Sequence, residues 1–212
     1  MKYGNRSIIR LSQYRNVLKR LYALGFLKVF SSNLSDAVGV TPAQVRKDFS
    51  QFGIAGNKKG GYDINDILKK MDGILGKDKV QKVIIAGMGN IGSALIHYKG
   101  FEKEGIEIVA GFDADPVKVK ETGNVKIYHI NKMYDFIRDN NIEVGIIAVP
   151  DNAAQAVFDI MVSAGIKGGL NFAPITLKMD QGCIMRNINV GVELETTIYF
   201  MNALKKQDEL CS

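Results

Sequence analysis

Gly87, Gly89 and Gly92 follow the apolar run Val83 to Ala86 at the spacing Gly-x-Gly-x-x-Gly, and Asp113 ends the next apolar run 21 residues after Gly92. That constellation suits the binding of a dinucleotide. Gly87 permits a tight turn, Gly89 lets the backbone approach a pyrophosphate, and Gly92 lets the following helix pack close to the strand with its N-terminus toward the phosphates. Asp113 would accept hydrogen bonds from a ribose 2′-hydroxyl and repel a 2′-phosphate, which favours NAD(H) over NADP(H). Three glycines alone are a weak motif; a strand before them, a helix after them and a carboxylate beyond give the spacing its meaning.

A reaction needs more than a bound nucleotide. His97 and His129 are the only histidines, hence the side chains placed to donate protons at neutral pH, and each stands isolated in a pattern that suits a structural role. Cys183 and Cys211 lack ligand spacing, so they are expected to be reduced, structural thiols, with no metal site and no disulfide. With no catalytic set and no substrate domain after the α/β pattern, the nucleotide is expected to be read and not transformed.

A second chemistry lies upstream, in "TPAQVRKDFSQFG". Thr41 suits an N-cap, Pro42 the first helical position, Gln44 the partner of a capping box, and Gly53 the stop. At 100° per residue Val45, Phe49 and Phe52 share one face, while Ala43, Lys47 and Ser50 lie opposite, flanked by Arg46 and Gln51. Arg and Gln make bidentate contacts to base edges, Lys and Ser reach phosphates or bases, and Ala43 keeps the helix start slim enough for a major groove. Beyond it, "GIAGNKKGGYDI" predicts a hairpin whose tip carries Lys58 and Lys59, a wing to sit on phosphates beside that helix.

The elements that must position these groups follow from periodicity and charge. Residues 1–80 hold 15 Lys and Arg against 6 Asp and no Glu, a charge of +9, whereas residues 81–212 carry −3, together the +6 of the chain. The basic excess therefore belongs to the first segment and points to a polyanion. Ile8, Leu11, Val17, Leu18, Leu21 and Leu24 recur at helical spacing up to Gly25; a short helix capped by Ser32 runs through Ala37 to Gly39; Asp63 or Asn65 caps a closing helix; "KDKVQK" is the linker. Thereafter strands ("KVIIAG", "EIVAGFD", "VKIYHI", "VGIIAVP", "GGLNFAP", "CIMRNINV") alternate with helices over 90–99, 132–140 and 152–164. The fold class is α/β: a winged helix-turn-helix domain over 1–80, a Rossmann-type doubly wound parallel sheet over 81–190, and a C-terminal helix over 191–212 striped by Leu194, Ile198 and Met201. No run of eighteen apolar residues exists and the N-terminus has no apolar signal core, so a cytoplasmic chain with no membrane partner is expected.

"VTPAQVRKDFSQFG", "KKGGY", "GMGNIGSAL" followed by "YKGF", "FDADP", "AVPDNAAQ", "AGIKGGLNFAP" and "VELE" occur in that order along nearly the whole chain. Together they resemble the Rex family of redox-sensing transcriptional repressors. The resemblance implies a homodimer that binds palindromic double-stranded operator DNA, releases it when NADH rises, and swaps its C-terminal helix between subunits. By position it implies that Arg46 and Lys47 face DNA with Thr41, Gln44, Ser50 and Gln51 around them, and that Lys58 and Lys59 make the wing contacts. It also implies that Gly87, Met88, Gly89, Asn90, Ile91 and Gly92 form the pyrophosphate turn, that Asp113 binds the ribose, and that Val149, Pro150 and Tyr98 wall the nicotinamide.

Two positions depart from the family pattern: Asn189 stands where an aspartate is usual, and on the first helix many members carry an arginine near Asn16. Those charges are associated with an inter-domain ion pair, so their loss puts the strength of coupling in doubt. Two other readings stay open on sequence alone, a small NAD-dependent oxidoreductase with a nucleic-acid tether, and a sensor of another adenine nucleotide such as coenzyme A. Paired catalytic groups would favour the first; Asp113 and the glycine spacing speak against the second.

Overall fold

A computed structural model describes residues 3–56, 60–119, 121–122, 125–179 and 182–211. The chain divides into two compact units, residues 1–79 and 80–212. The boundary falls inside the expected linker, whose last residues, Gln81 and Lys82, already belong to a strand.

In the first unit α1 (Asn5–Ala23) turns Leu11, Tyr14 and Leu18 inward, all fully buried. Leu24 lies past the last helical turn and is 74% exposed, which removes it from the expected stripe. Strand β1 (Lys28–Val29) leads into α2 (Ser31–Val38). The start of α2 is closed by the Phe30 N–H donating to Asn33 Oδ1 at 3.0 Å, not by Ser32, which sits one residue inside the helix. Helix α3 (Pro42–Gln51) begins as expected, with Thr41 Oγ1 accepting from the Gln44 N–H at 3.1 Å. Strand β2 (Tyr62–Asp63) leads into α4 (Ile64–Ile74), capped by Asp63, which accepts from the Asp66 N–H. The expected hairpin is built differently: β2 pairs antiparallel with β1, and residues 54–56 form no strand. A β-ladder partner is chosen in space, and Val29 and Tyr62 join the core that Leu34, Val45, Phe49 and Met71 fill.

Helix α3 is bolted to α1 through a buried carboxylate. Asp48, 1% exposed, accepts from Arg10 Nε at 2.6 Å and Nη2 at 2.7 Å, from Tyr14 Oη at 3.0 Å and from Gln44 Nε2 at 2.8 Å. Burial alone would disfavour the charge; the hydrogen bonds from Arg10, Gln44 and Tyr14 outweigh it and hold the carboxyl below its ordinary range. The same site raises the Tyr14 phenol, first by burial and then by the Asp48 hydrogen bond.

The second unit is a seven-stranded sheet in the order β5-β6-β4-β3-β7-β8-β9: β3 (Gln81–Ala86), β4 (Ile106–Asp113), β5 (Glu121–Thr122), β6 (Val125–His129), β7 (Val144–Ile147), β8 (Gly168–Asn171) and β9 (Ile184–Asn187). All neighbours are parallel except the short β5, which had no signal in sequence. Alternate residues of β3 serve opposite faces. Ile84 and Ala86 pack with α7 (Met133–Asp139) and α8 (Asp151–Ala164), whereas Val83 and Ile85 pack toward Leu95 and Ile96 of α5 (Asn90–Ile96). Helix α5 ends at Ile96, short of the expected Lys99, and a separate turn of helix, α6 (Gly100–Lys103), follows. The last element, α9 (Val190–Cys211), is capped by Asn189, whose Oδ1 accepts from the Val192 N–H at 3.1 Å. The Cys183 thiol is half-buried and pushed up by burial; the Cys211 side chain lies outside the described residues.

Asp48→Asn keeps the shape of the bolt and removes its charge. Because Arg10 is about a fifth exposed, the expected loss is about 2–3 kcal/mol, below that of a fully buried pair. The folded carboxyl titrates below the unfolded value of about 3.9, so its contribution is complete above that pH and is lost as pH falls through the lower folded value. Urea unfolding of the full chain from neutral pH down to about pH 3, with the first unit read by hydrogen exchange, should show this acid loss in the native chain and not in the variant.

Candidate nucleotide cleft and nucleic-acid face

The strand order reverses between β3 and β7, where open α/β sheets bind ligands at the carboxyl ends of their strands. Gly87 leaves β3 with φ +94°, and a Cβ there would lie 2.4 Å from the Ala148 carbonyl oxygen. It is therefore glycine for two reasons, its φ and the approach of the β7 turn. At Gly92 a Cβ would meet the Gly87 carbonyl oxygen at 1.9 Å, so the close contact is with the turn first and with Ile85 of the strand second. Gly89 faces open space, which is the room a pyrophosphate needs.

A cleft of about 710 Å³ opens at this point, lined by Gly87, Gly89, Asn90, Ile91, Asp113, Val149 and Pro150 among others. Its volume is in the range of small-molecule sites. Phe112, Ile130, Val157, Phe172 and Pro174 add apolar wall. Two expected residues contribute indirectly. Met88 buries its side chain in the core and spends its N–H on Asp113, while Gly92 is buried beneath the turn. Tyr98 does not line this cleft. Helix α5 starts at the cleft and runs away from it, so Tyr98, two residues past its end, lines another cavity with Ile96, Phe101 and Ile106, and packs on Phe101 at 5.1 Å. His97 lines that same outer cavity; His129 Nδ1 accepts from the Asn131 N–H. Among the described residues no cluster of His, Cys, Asp and Glu is arranged to hold a metal.

Asp113, 9% exposed, closes the turn: its Oδ2 accepts from the Met88 N–H at 2.6 Å and its Oδ1 from the Asp115 N–H at 2.8 Å. Lys118 Nζ donates to Oδ2 at 3.2 Å. Burial works against ionisation, but the two backbone N–H groups and the ammonium hold the carboxyl below its ordinary range. Sequence reasoning missed Lys118, whose only signal was a lysine five residues beyond the strand-end carboxylate, across Pro116. It also missed Asn171, fully buried at the end of β8, which accepts from the Ala173 N–H and donates to the Ile175 carbonyl and to Asn187 Oδ1, thereby setting the Phe172–Pro174 wall.

On α3 the groups Arg46, Lys47, Ser50 and Gln51 are exposed, as their helical spacing predicts. Arg46 Nη1 donates to Ser31 Oγ at 3.1 Å. Gln44 is turned inward: its amide donates to Asp48 and does not return to cap Thr41, so the capping box is half-made and Gln44 is spent on the bolt. Thr41 likewise uses its hydroxyl to start the helix. Lys58 and Lys59 lie outside the described residues.

Residues 5–50 match a putative DNA-binding protein N-terminus family, and residues 78–175 a CoA binding domain family. The redox-sensing transcriptional repressor Rex of Desulforamulus reducens is 39% identical over 208 residues, covering 98% of this chain and 99% of that protein. Its counterpart in Carboxydothermus hydrogenoformans is 40% identical over 199 residues, covering 93% and 96%. The chain belongs to the Rex family of redox-sensing transcriptional repressors. Members of this family are named as repressors, not as enzymes. A solved Rex-family repressor, RSP, is 33% identical and superposes with a TM-score of 0.88 over 99% of both chains. RSP in complex with β-NAD⁺ and operator DNA gives a TM-score of 0.91, covering 98% of this chain and 96% of that one.

The turn geometry separates two glycines by cause. Gly92→Ala forces a methyl into the Gly87 carbonyl and is expected to destabilise the second unit by about 3 kcal/mol or more, whereas Gly89→Ala meets nothing and should cost no more than about 0.5–1 kcal/mol. Denaturant unfolding of the two variants checks the contrast.

Proposed function

We propose that this protein is a redox-sensing transcriptional repressor, a homodimer in the cytoplasm that holds palindromic operator DNA and releases it on binding NADH. The observation that carries the reading is the match of both units together, over nearly the whole chain, to a repressor solved with a nicotinamide dinucleotide and operator DNA. A dimer is supported by α9: every described side chain on it is exposed, including Leu194, Ile198, Phe200 and Met201, and a helix apolar on so many sides needs a cover. A second copy supplies one, with α9 swapped between subunits, and two α3 helices then address half-sites about one helical turn apart.

The redox form follows from desolvation. Oxidised nicotinamide carries a positive ring, and the acidic residues lining the cleft, Asp113 and Asp115, both stand at the end of β4, on the ribose side. Beside the apolar Val149–Pro150 turn the neutral NADH ring costs less to bury. A ligand moves the DNA-releasing equilibrium only by its differential affinity for the two states. Asn16 and Asn189 lack the charges of the expected ion pair. The neighbouring Arg15 is engaged with Asp72 of α4 at 2.5 Å.

At the DNA face Arg46→Ala should weaken operator binding by about 1–3 kcal/mol while barely affecting random DNA. Equal losses on both, in a fluorescence-anisotropy titration, would demote Arg46 to a phosphate contact. Release is tested by titrating NADH, NAD⁺ and coenzyme A separately against the operator complex. NADH is expected to dissociate it and NAD⁺ only to compete, and the double variant Asn16→Arg, Asn189→Asp should release at lower NADH than the native chain. Equal release by NAD⁺ sinks the redox reading, and release by coenzyme A alone would favour the function suggested by the CoA binding domain match.

A further inference from the structure

We propose that Lys118 is a specificity-determining residue of the cleft, its ammonium setting how strongly the site discriminates against an adenosine ribose that carries a 2′-phosphate. The inference rests on the dinucleotide reading above and goes beyond it. A strand-end carboxylate at this position rejects a 2′-phosphate by repulsion between like charges. Here that carboxylate does not stand alone: Lys118 Nζ is 3.2 Å from Asp113 Oδ2 and lines the same cleft.

The placement of Lys118 is built into the backbone. Asp115 Oδ1 accepts from the Val117 N–H at 3.0 Å, Pro116 starts a turn of 3₁₀ helix, and the Lys118 and Val119 N–H groups return to the Asp115 and Pro116 carbonyls at 3.1 Å. The turn brings the lysine back over the end of β4. There the ammonium is the outer partner and the carboxylate the inner one, with side chains 39% and 11% exposed. A group arriving on the ribose meets the cation before the anion. An ammonium has three donors and the bond to Asp113 uses one. The local charge then combines two carboxylates, Asp113 and Asp115, with one cation, so Lys118 offsets part of the repulsion that a phosphate would otherwise meet.

A cleft of this kind still prefers NADH, and it tolerates NADPH better than its aspartate alone would allow. The test is direct titration of the full chain with NADH and with NADPH, followed by nicotinamide fluorescence, for the native protein, Lys118→Met and Lys118→Arg. Lys118→Met should raise the ratio of the NADPH to the NADH dissociation constant at least about tenfold, and Lys118→Arg, which keeps the charge, should leave it within about threefold of native. An unchanged ratio in Lys118→Met overturns the proposal, as does loss of both nucleotides together, which would make Lys118 a general support of the cleft. A Lys118→Arg ratio shifted as far as that of Lys118→Met overturns it too, because charge would then not be the determinant. If the native chain binds neither nucleotide, the dinucleotide reading fails and this inference with it.

Discussion

The approach of the Gly87 carbonyl oxygen to the Gly92 α-carbon, so close that a Cβ would lie 1.9 Å away, is the constraint on which the second unit turns. It draws the first turn of α5 down onto the end of β3 and leaves Gly89 facing an open cleft. A side chain at Gly92 would push the helix off the strand end, and one at Gly87 would collide with the Ala148–Val149 backbone of the turn after β7. The β7 turn closes from the other side, with Ala148 N–H donating to the Ala86 carbonyl at 2.7 Å, so the cleft is walled by backbone before any side chain is considered.

Both units use a buried carboxylate to hold a local element in place, a helix in one and a turn in the other, and the physics is the same in each. Asp48 collects Arg10, Tyr14 and Gln44 to tie α3 to α1; Asp113 collects two backbone N–H groups and Lys118 to tie the glycine turn to β4. An ionised carboxylate out of water is tolerable only when its lone pairs are met by strong donors, and once met it is costly to move. The helix that carries Arg46 and Lys47 and the glycine turn at the cleft are therefore each anchored by a buried charge.

Helix α9 is the element least explained by its own unit. Its described side chains are exposed along its length, yet Asn189 caps it at the end of the β9 segment, and Asn187 in that segment bonds the Asn171 amide that sets the Phe172–Pro174 wall. Cleft wall, strand end and helix start are thus joined by hydrogen bonds within a few residues.

Much of this was determined by the sequence itself, and for local reasons. Thr41 with Pro42, Asp63 with Asp66, and the spacing of Val45, Phe49 and Phe52 act within one or two helical turns, so their placement needs no tertiary information. The glycine turn and Asp113 were legible because a strand-turn-helix unit carries such groups at fixed offsets, whereas Val149 and Pro150 came from the family resemblance. What the tertiary structure alone decided are the pairings between distant residues. Gln44, expected as the partner of a capping box, donates to Asp48 instead; β2 pairs with β1 and not with residues 54–56; Tyr98 lies past the end of α5 in another cavity; and Lys118 is visible only once a turn folds it back over Asp113. Residue types and spacing encode what each segment prefers by itself. The partner a polar side chain finds depends on which buried charge needs it most, and that demand exists only after the core has excluded water.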